Sequence, residues 1–152
     1  MSCKEWLKLF GRDSEDKELK ALLAKRGVKK VPAIKKHDTD TRVELDDGSM
    51  LIFSAPDLFP SRQGGGDGSS ILSGLAVYLK DEKGGEYKGE LPFNLQRADS
   101  QKALRKRLGE PRDQNEEFDW DEWEVDGLSV NVTYTKDRAS LDSIVLSLPA
   151  EI

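Results

Sequence analysis

Apolar residues recur at helical spacing through the first thirty positions. Trp6, Leu9 and Phe10 follow an i, i+3, i+4 pattern, which puts them on one side of a short helix that Gly11 ends. Leu19, Leu22 and Leu23 form a second stripe. Asp13 or Ser14 is placed to cap that helix, and Gly27 to sit just past its end. Beyond Pro32 the period shortens. Arg42 to Leu45, Asp47-Gly48 and Met50 to Ser54 read as strand, turn, strand, because Asp-Gly supplies the positive φ angles of a tight hairpin. The stretch 56–70, with two prolines and four glycines, reads as a loop, and Ile71 to Leu79 as a buried strand.

The second half runs through the same order. After the polar stretch 81–89, which reads as a linker, Asp99 or Ser100 caps a helix with the stripe Ala103, Leu104, Leu108, stopped by Gly109 and Pro111. Trp123 to Val125, Asp126-Gly127 and Leu128 to Tyr134 repeat strand, turn, strand, and Leu141 to Leu148 closes the chain as a last strand. Leu128, Val130, Val132 and Tyr134 alternate with polar residues, as in a sheet with one buried face. Lys20-Ala21-Leu22 and Gly27 recur as Lys102-Ala103-Leu104 and Gly109, an offset of 82; Glu44-Leu45-Asp46-Asp47-Gly48 recurs, one aspartate shorter, as Glu124-Val125-Asp126-Gly127. Four elements recurring in order point to an internal duplication. The expected fold is α+β: two helix-plus-antiparallel-sheet units, 1–80 and 90–152, in one globule. Its core should hold Leu19, Leu22, Leu23, Leu51, Phe53, Leu75, Val77, Leu104, Leu108, Val130, Val132, Ile144 and Leu146.

Composition narrows the function. In 152 residues, 35% are charged and 36% hydrophobic, and no apolar run approaches the ~20 residues of a membrane helix. No secretory h-region follows Met1, so a cytoplasmic location is expected. With one histidine, His37, and one cysteine, Cys3, a zinc site of ordinary composition and a Cys-His nucleophile pair are both unexpected. The glycine run 64–68 lacks the lysine of a phosphate loop. No catalytic residues, metal site or cofactor are expected.

Charge is unevenly spread. Residues 1–36 carry 11 basic and 5 acidic groups, net +6, so the remainder is net −11. Between Glu110 and Asp126, nine acids face Arg112 alone. Phe118, Trp120 and Trp123 lie among them. Acids that steer a basic partner, with aromatics as anchors, make Glu116, Glu117, Phe118, Asp119, Trp120, Asp121, Glu122 and Trp123 the candidate partner-binding set. The lysines of 25–36 suit a helix C-terminus, and without interleaved aromatics they do not suggest nucleic-acid binding.

Leu91-Pro92-Phe93-Asn94-Leu95, the helix exit Leu108-Gly109-Glu110-Pro111 and the tryptophan-bearing strands after it resemble the small helix-plus-sheet unit of the SmpA/OmlA outer-membrane lipoproteins. Two such units in tandem resemble the architecture of the β-lactamase inhibitor protein. The likeness covers residues 71–148 and extends to cytoplasmic immunity proteins of bacterial polymorphic-toxin and type VI secretion systems. It implies a non-enzymatic immunity protein that binds and occludes a cognate, basic, nuclease-like toxin. The alternative it implies is a structural or assembly module of the SmpA/OmlA type.

Overall fold

A computed structural model describes residues 3–62, 68–79 and 86–151. Helices α1 (Cys3–Leu7) and α2 (Lys17–Lys25) precede a meander of β1 (Asp40–Glu44), β2 (Ser49–Ser54) and β3 (Ile71–Tyr78). Helix α3 (Gln101–Leu108) then precedes β4 (Asp113–Asn115), β5 (Trp120–Val125), β6 (Leu128–Tyr134) and β7 (Leu141–Ser147). All seven strands join one antiparallel sheet in the order β1-β2-β3-β7-β6-β5-β4. The two meanders therefore meet at their last strands, and the order reads the same from β1 or from β5 to the centre.

The register threads one apolar row through six strands: Val43, Leu51, Leu75, Leu146, Val130 and Trp123. The next row on that face carries Val77, Ile144, Val132 and, at its end, Asp121. Cys3 and Trp6 of α1, Leu19 and Leu23 of α2 and Leu104 of α3 join the same buried cluster. All three helices thus bury their apolar sides in one core. Of the thirteen expected core residues, eleven are buried, while Leu22 and Leu108 are partly buried against them.

The helix and strand ends show where local chemistry differs from the expectation. Asp16, not Asp13 or Ser14, caps α2, its carboxylate accepting from Leu19 N at 3.0 Å; that backbone bond holds its carboxyl below the usual range. Asp13 instead accepts from Glu15 N, and Ser14 Oγ accepts from Ser70 N. Helix α1 ends at Leu7, four residues before Gly11. Ser100 caps α3, and Gly27 and Gly109 take φ of +83° and +89° just past their helices, as glycine alone does readily. Strand β4, three polar residues, has no apolar pattern to announce it.

Residues 81–85 of the expected linker and 63–67 of the glycine-rich loop lie outside the described residues. The remainder of the expected linker, 86–89, is no solvated spacer. Tyr87 is buried in the core cluster, its N–H donating to Tyr78 O at 2.8 Å. Its hydroxyl lies 3.2 Å from Cys3 Sγ and donates to Glu90 O. Between β2 and β3, residues 56–62 form two short 3-10 turns with Phe59 buried. Glu151 ties this loop to the C-terminal segment, its N–H donating to Leu58 O and its carboxylate accepting from Ser61 N and Oγ.

Candidate functional site

Strand alternation sorts the acidic segment onto opposite sides of the sheet. Asp121 and Trp123 point into the core, and Trp120, Glu122 and Glu124 point to the other face. The sequence already carried this signal, because Asp121 and Trp123 are two apart. As a set of eight contact residues the segment is therefore corrected. Asp121 is fully buried and Trp123 is 4% exposed, so neither is available to a partner in this fold.

Their partners explain their burial. Asp121 accepts from Arg105 Nε at 3.0 Å and Nη2 at 2.7 Å, and from Tyr134 Oη at 2.9 Å. Arg105 also donates to Gln114 Oε1 at 2.6 Å, so one guanidinium on α3 holds both β4 and β5. The bonds to Asp121 push the Arg105 guanidinium up from its ordinary value. Burial, and then the bond to Asp121, pushes the Tyr134 phenol up. Trp123 Nε1 donates to Gly109 O at 2.9 Å and fixes the exit of α3.

Two more arginines reach the segment. Arg138, in the β6–β7 turn, donates to Asp119 Oδ1 and Glu116 O, both at 2.9 Å. Asp119 takes φ of +59°, and its carbonyl accepts from Tyr134 N. Arg112 pairs with Glu122 at 3.1 Å and reaches Ser129 Oγ at 3.4 Å. Sequence proximity revealed only Arg112; folding supplies Arg105 and Arg138. Six acids, Glu110, Asp113, Glu116, Glu117, Glu124 and Asp126, make no ion pair among the described residues.

What stays open is a tip and a face. Glu116 and Glu117 are exposed in the β4–β5 turn, beside Phe118 at 64% exposure. Asn115 Oδ1 accepts from Phe118 N at 2.9 Å, which shapes that turn. Behind the tip, the second face of the sheet presents the cross-strand row Tyr78, Ser143, Thr133, Trp120. Three inter-strand spacings set Tyr78 and Trp120 about 14 Å apart. Tyr78 is 43% exposed and Trp120 half-buried. Toward β2 the same face turns apolar and buried at Met50, Ile71 and Ala76.

The other chemical candidates stay apart from this surface. His37 is exposed, at φ of +77°. Cys3 is buried against Tyr87, and burial raises its thiol pKa. A cleft of about 430 Å³ lies between the end of α2, the β1–β2 turn and residues 86–89, lined by Arg26, Asp46, Asp47, Glu86, Tyr87 and Lys88. Among the described residues no group of three histidine, cysteine or carboxylate side chains is arranged to hold a metal ion, and no helix is long and apolar enough to cross a membrane. Compared with protein-family models, curated proteins and solved structures, the chain finds no match.

Proposed function

We propose that the chain is a cytoplasmic immunity protein that binds and occludes a cognate secreted bacterial toxin, without catalysis of its own. The observation that carries this reading is the β4–β5 tip. A large apolar ring, Phe118, stands in solvent beside carboxylates that make no ion pair among the described residues. A free protein gains nothing from that pairing. A basic partner relieves the repulsion of the acids and buries the ring. The docking surface is Glu116, Glu117 and Phe118 at the tip, continued by Trp120 and Glu122 on the open face, while Asp119 shapes the turn. The palindromic strand order supports the view that the two halves descend from one duplicated helix-plus-sheet unit.

Acids at a rim act on the rate of encounter, and a buried aromatic anchor acts on the lifetime of the complex. The test is binding kinetics with the protein that co-purifies from the native cell. Joint replacement of Glu116→Lys and Glu117→Lys should slow association and flatten its salt dependence. Phe118→Ala should speed dissociation by tenfold or more, roughly the cost of a hot-spot ring. If both variants bind like the parent at low salt, the tip is a solvated turn and the reading fails.

A further inference from the structure

Strand β1 is an outer edge of the sheet. Its register with β2 pairs Thr41 with Phe53 and Val43 with Leu51. Just beyond its ends, Leu45 N donates to Ser49 O and Ala55 N donates to Thr39 O. In an antiparallel ladder the directly bonded pairs recur every second residue, so the odd-numbered residues bond to β2. The N–H and C=O groups of Asp40, Arg42 and Glu44 therefore point away from the sheet. None of these backbone groups has a hydrogen-bond partner among the described residues. The three side chains are half-buried or exposed and form no ion pair among the described residues.

Charges on an edge strand ordinarily keep other strands away. Here their order, minus, plus, minus, complements itself when two copies pair one residue to either side of Arg42. We infer that β1 is the self-association edge of this protein, pairing antiparallel with β1 of a second copy about a two-fold axis one residue to either side of Arg42, at Thr41 or Val43. Three registers bring Arg42 of each copy opposite an outward-facing residue of the other copy's β1. Centred on Arg42, the strands would set Arg42 against Arg42 and Asp40 against Glu44, which repel. Centred on Val43, they set each Arg42 against the other copy's Glu44, and centred on Thr41 against its Asp40, in each case twice by symmetry and in directly bonded pairs. Cross-strand pairs of opposite charge are favourable, and like charges directly opposite are not. The antiparallel direction also carries the Lys35-Lys36 end of each copy toward the Asp46-Asp47 turn of the other. Such a pairing is isologous and closes after two copies. It uses the edge farthest from the acidic tip in strand order, so it stands or falls independently of toxin binding.

Sedimentation equilibrium of the full chain tests the inference. The parent should dimerise at about 100 μM, as a small interface does. Arg42→Glu should weaken dimerisation about tenfold or more, because in either attractive register it turns two attractive pairs into repulsive ones. The triple variant Asp40→Arg/Arg42→Glu/Glu44→Arg restores opposite charges in both attractive registers and should dimerise like the parent. Unchanged far-UV circular dichroism confirms that these changes leave the fold intact. A monomeric parent at that concentration overturns the inference. So does an Arg42→Glu variant that dimerises as tightly as the parent, or a triple variant that stays monomeric.

Discussion

At the β1 end of the sheet the core row finishes on Val43, under two helices that contribute Cys3, Trp6, Leu19 and Leu23. Where polar atoms enter that core, they do so as neutral groups, the Cys3 thiol and the Tyr87 hydroxyl. At the β5 end the row finishes on Trp123, and only Leu104 of α3 is fully buried above it. A charged cluster completes that end: Asp121, Arg105, Tyr134 and Gln114. The difference shows two ways to hold a helix on a sheet. Where a helix offers several apolar side chains, burial suffices. Where eight residues, QKALRKRL, offer Leu104 and half of Leu108, a buried ion pair adds the hold that packing lacks.

Breaking that ion pair is the largest expected effect. Asp121→Ala leaves the Tyr134 hydroxyl and one side of the guanidinium without an acceptor in the core. Removing one partner of a buried pair costs about 3 to 5 kcal/mol, and since Arg105 is 31% exposed the lower figure applies. Urea unfolding measures it. The corresponding change at the other end, Tyr87→Phe, removes only neutral hydrogen bonds, to Cys3 Sγ and Glu90 O, worth about 1 kcal/mol each. Equal costs would refute the contrast. Replacing the pair together, Asp121→Leu with Arg105→Met, should recover most of the loss, because matched apolar groups need no partner.

These two clusters mark where sequence reasoning reaches its limit. Strand periods and helix stripes are local, so the expected strands and most of the core are in place. The fate of Asp121 depends on Arg105, sixteen positions away, and Asp119 is turned by Arg138, nineteen positions away. Charge counted along the chain cannot register such pairs. The helical half of the expected repeat meets the same limit. The offset of 82 matches Leu22 to Leu104, yet Leu104 is buried while Leu22 is only partly so, and Leu19 and Leu23 carry the buried side of α2. The strand match at offset 80 does keep its face, setting Val43 against Trp123 at the two ends of one row.

High pH sharpens the comparison with a smaller effect. Burial raises the Cys3 thiol, and burial followed by a hydrogen-bonded neighbour raises the Tyr87 and Tyr134 phenols. Each group holds its proton more tightly when folded than unfolded. Their contribution is therefore fully present below the unfolded values, about 9 for the thiol and about 10 for the phenols, and is lost as pH rises above them. The melting temperature should hold level through neutral pH and fall from about pH 9 upward. Tyr134→Phe should flatten the fall more than Tyr87→Phe, because Tyr134 faces a carboxylate and Tyr87 a neutral thiol. A melting temperature independent of pH between 8 and 11 would contradict the proton bookkeeping.

The smallest effect separates the two Asp-Gly turns. Val125 and Leu128 pair directly, and both residues between them take positive φ, Asp126 at 52° and Gly127 at 80°. That is the two-residue turn whose twist matches the strands it joins. In the β1–β2 turn the extra aspartate lengthens the loop. Glu44 pairs with Met50, only Gly48 takes positive φ, and Asp47 turns its carboxylate to accept from Ser49 N at 3.1 Å. Asparagine tolerates the left-handed region better than most residues and is favoured at the first position of the two-residue turn. Asp126→Asn should therefore raise stability by a few tenths of a kcal/mol, and it also removes one of the acids that make no ion pair among the described residues. Asp47→Asn gains nothing from backbone preference, because its φ is already negative, and weakens a bond to Ser49. Paired chemical denaturation of the two variants reads the difference. If both move alike, the two turns are equivalent and the extra aspartate is a silent insertion; opposite signs show that the same dipeptide folds by two different rules within one sheet.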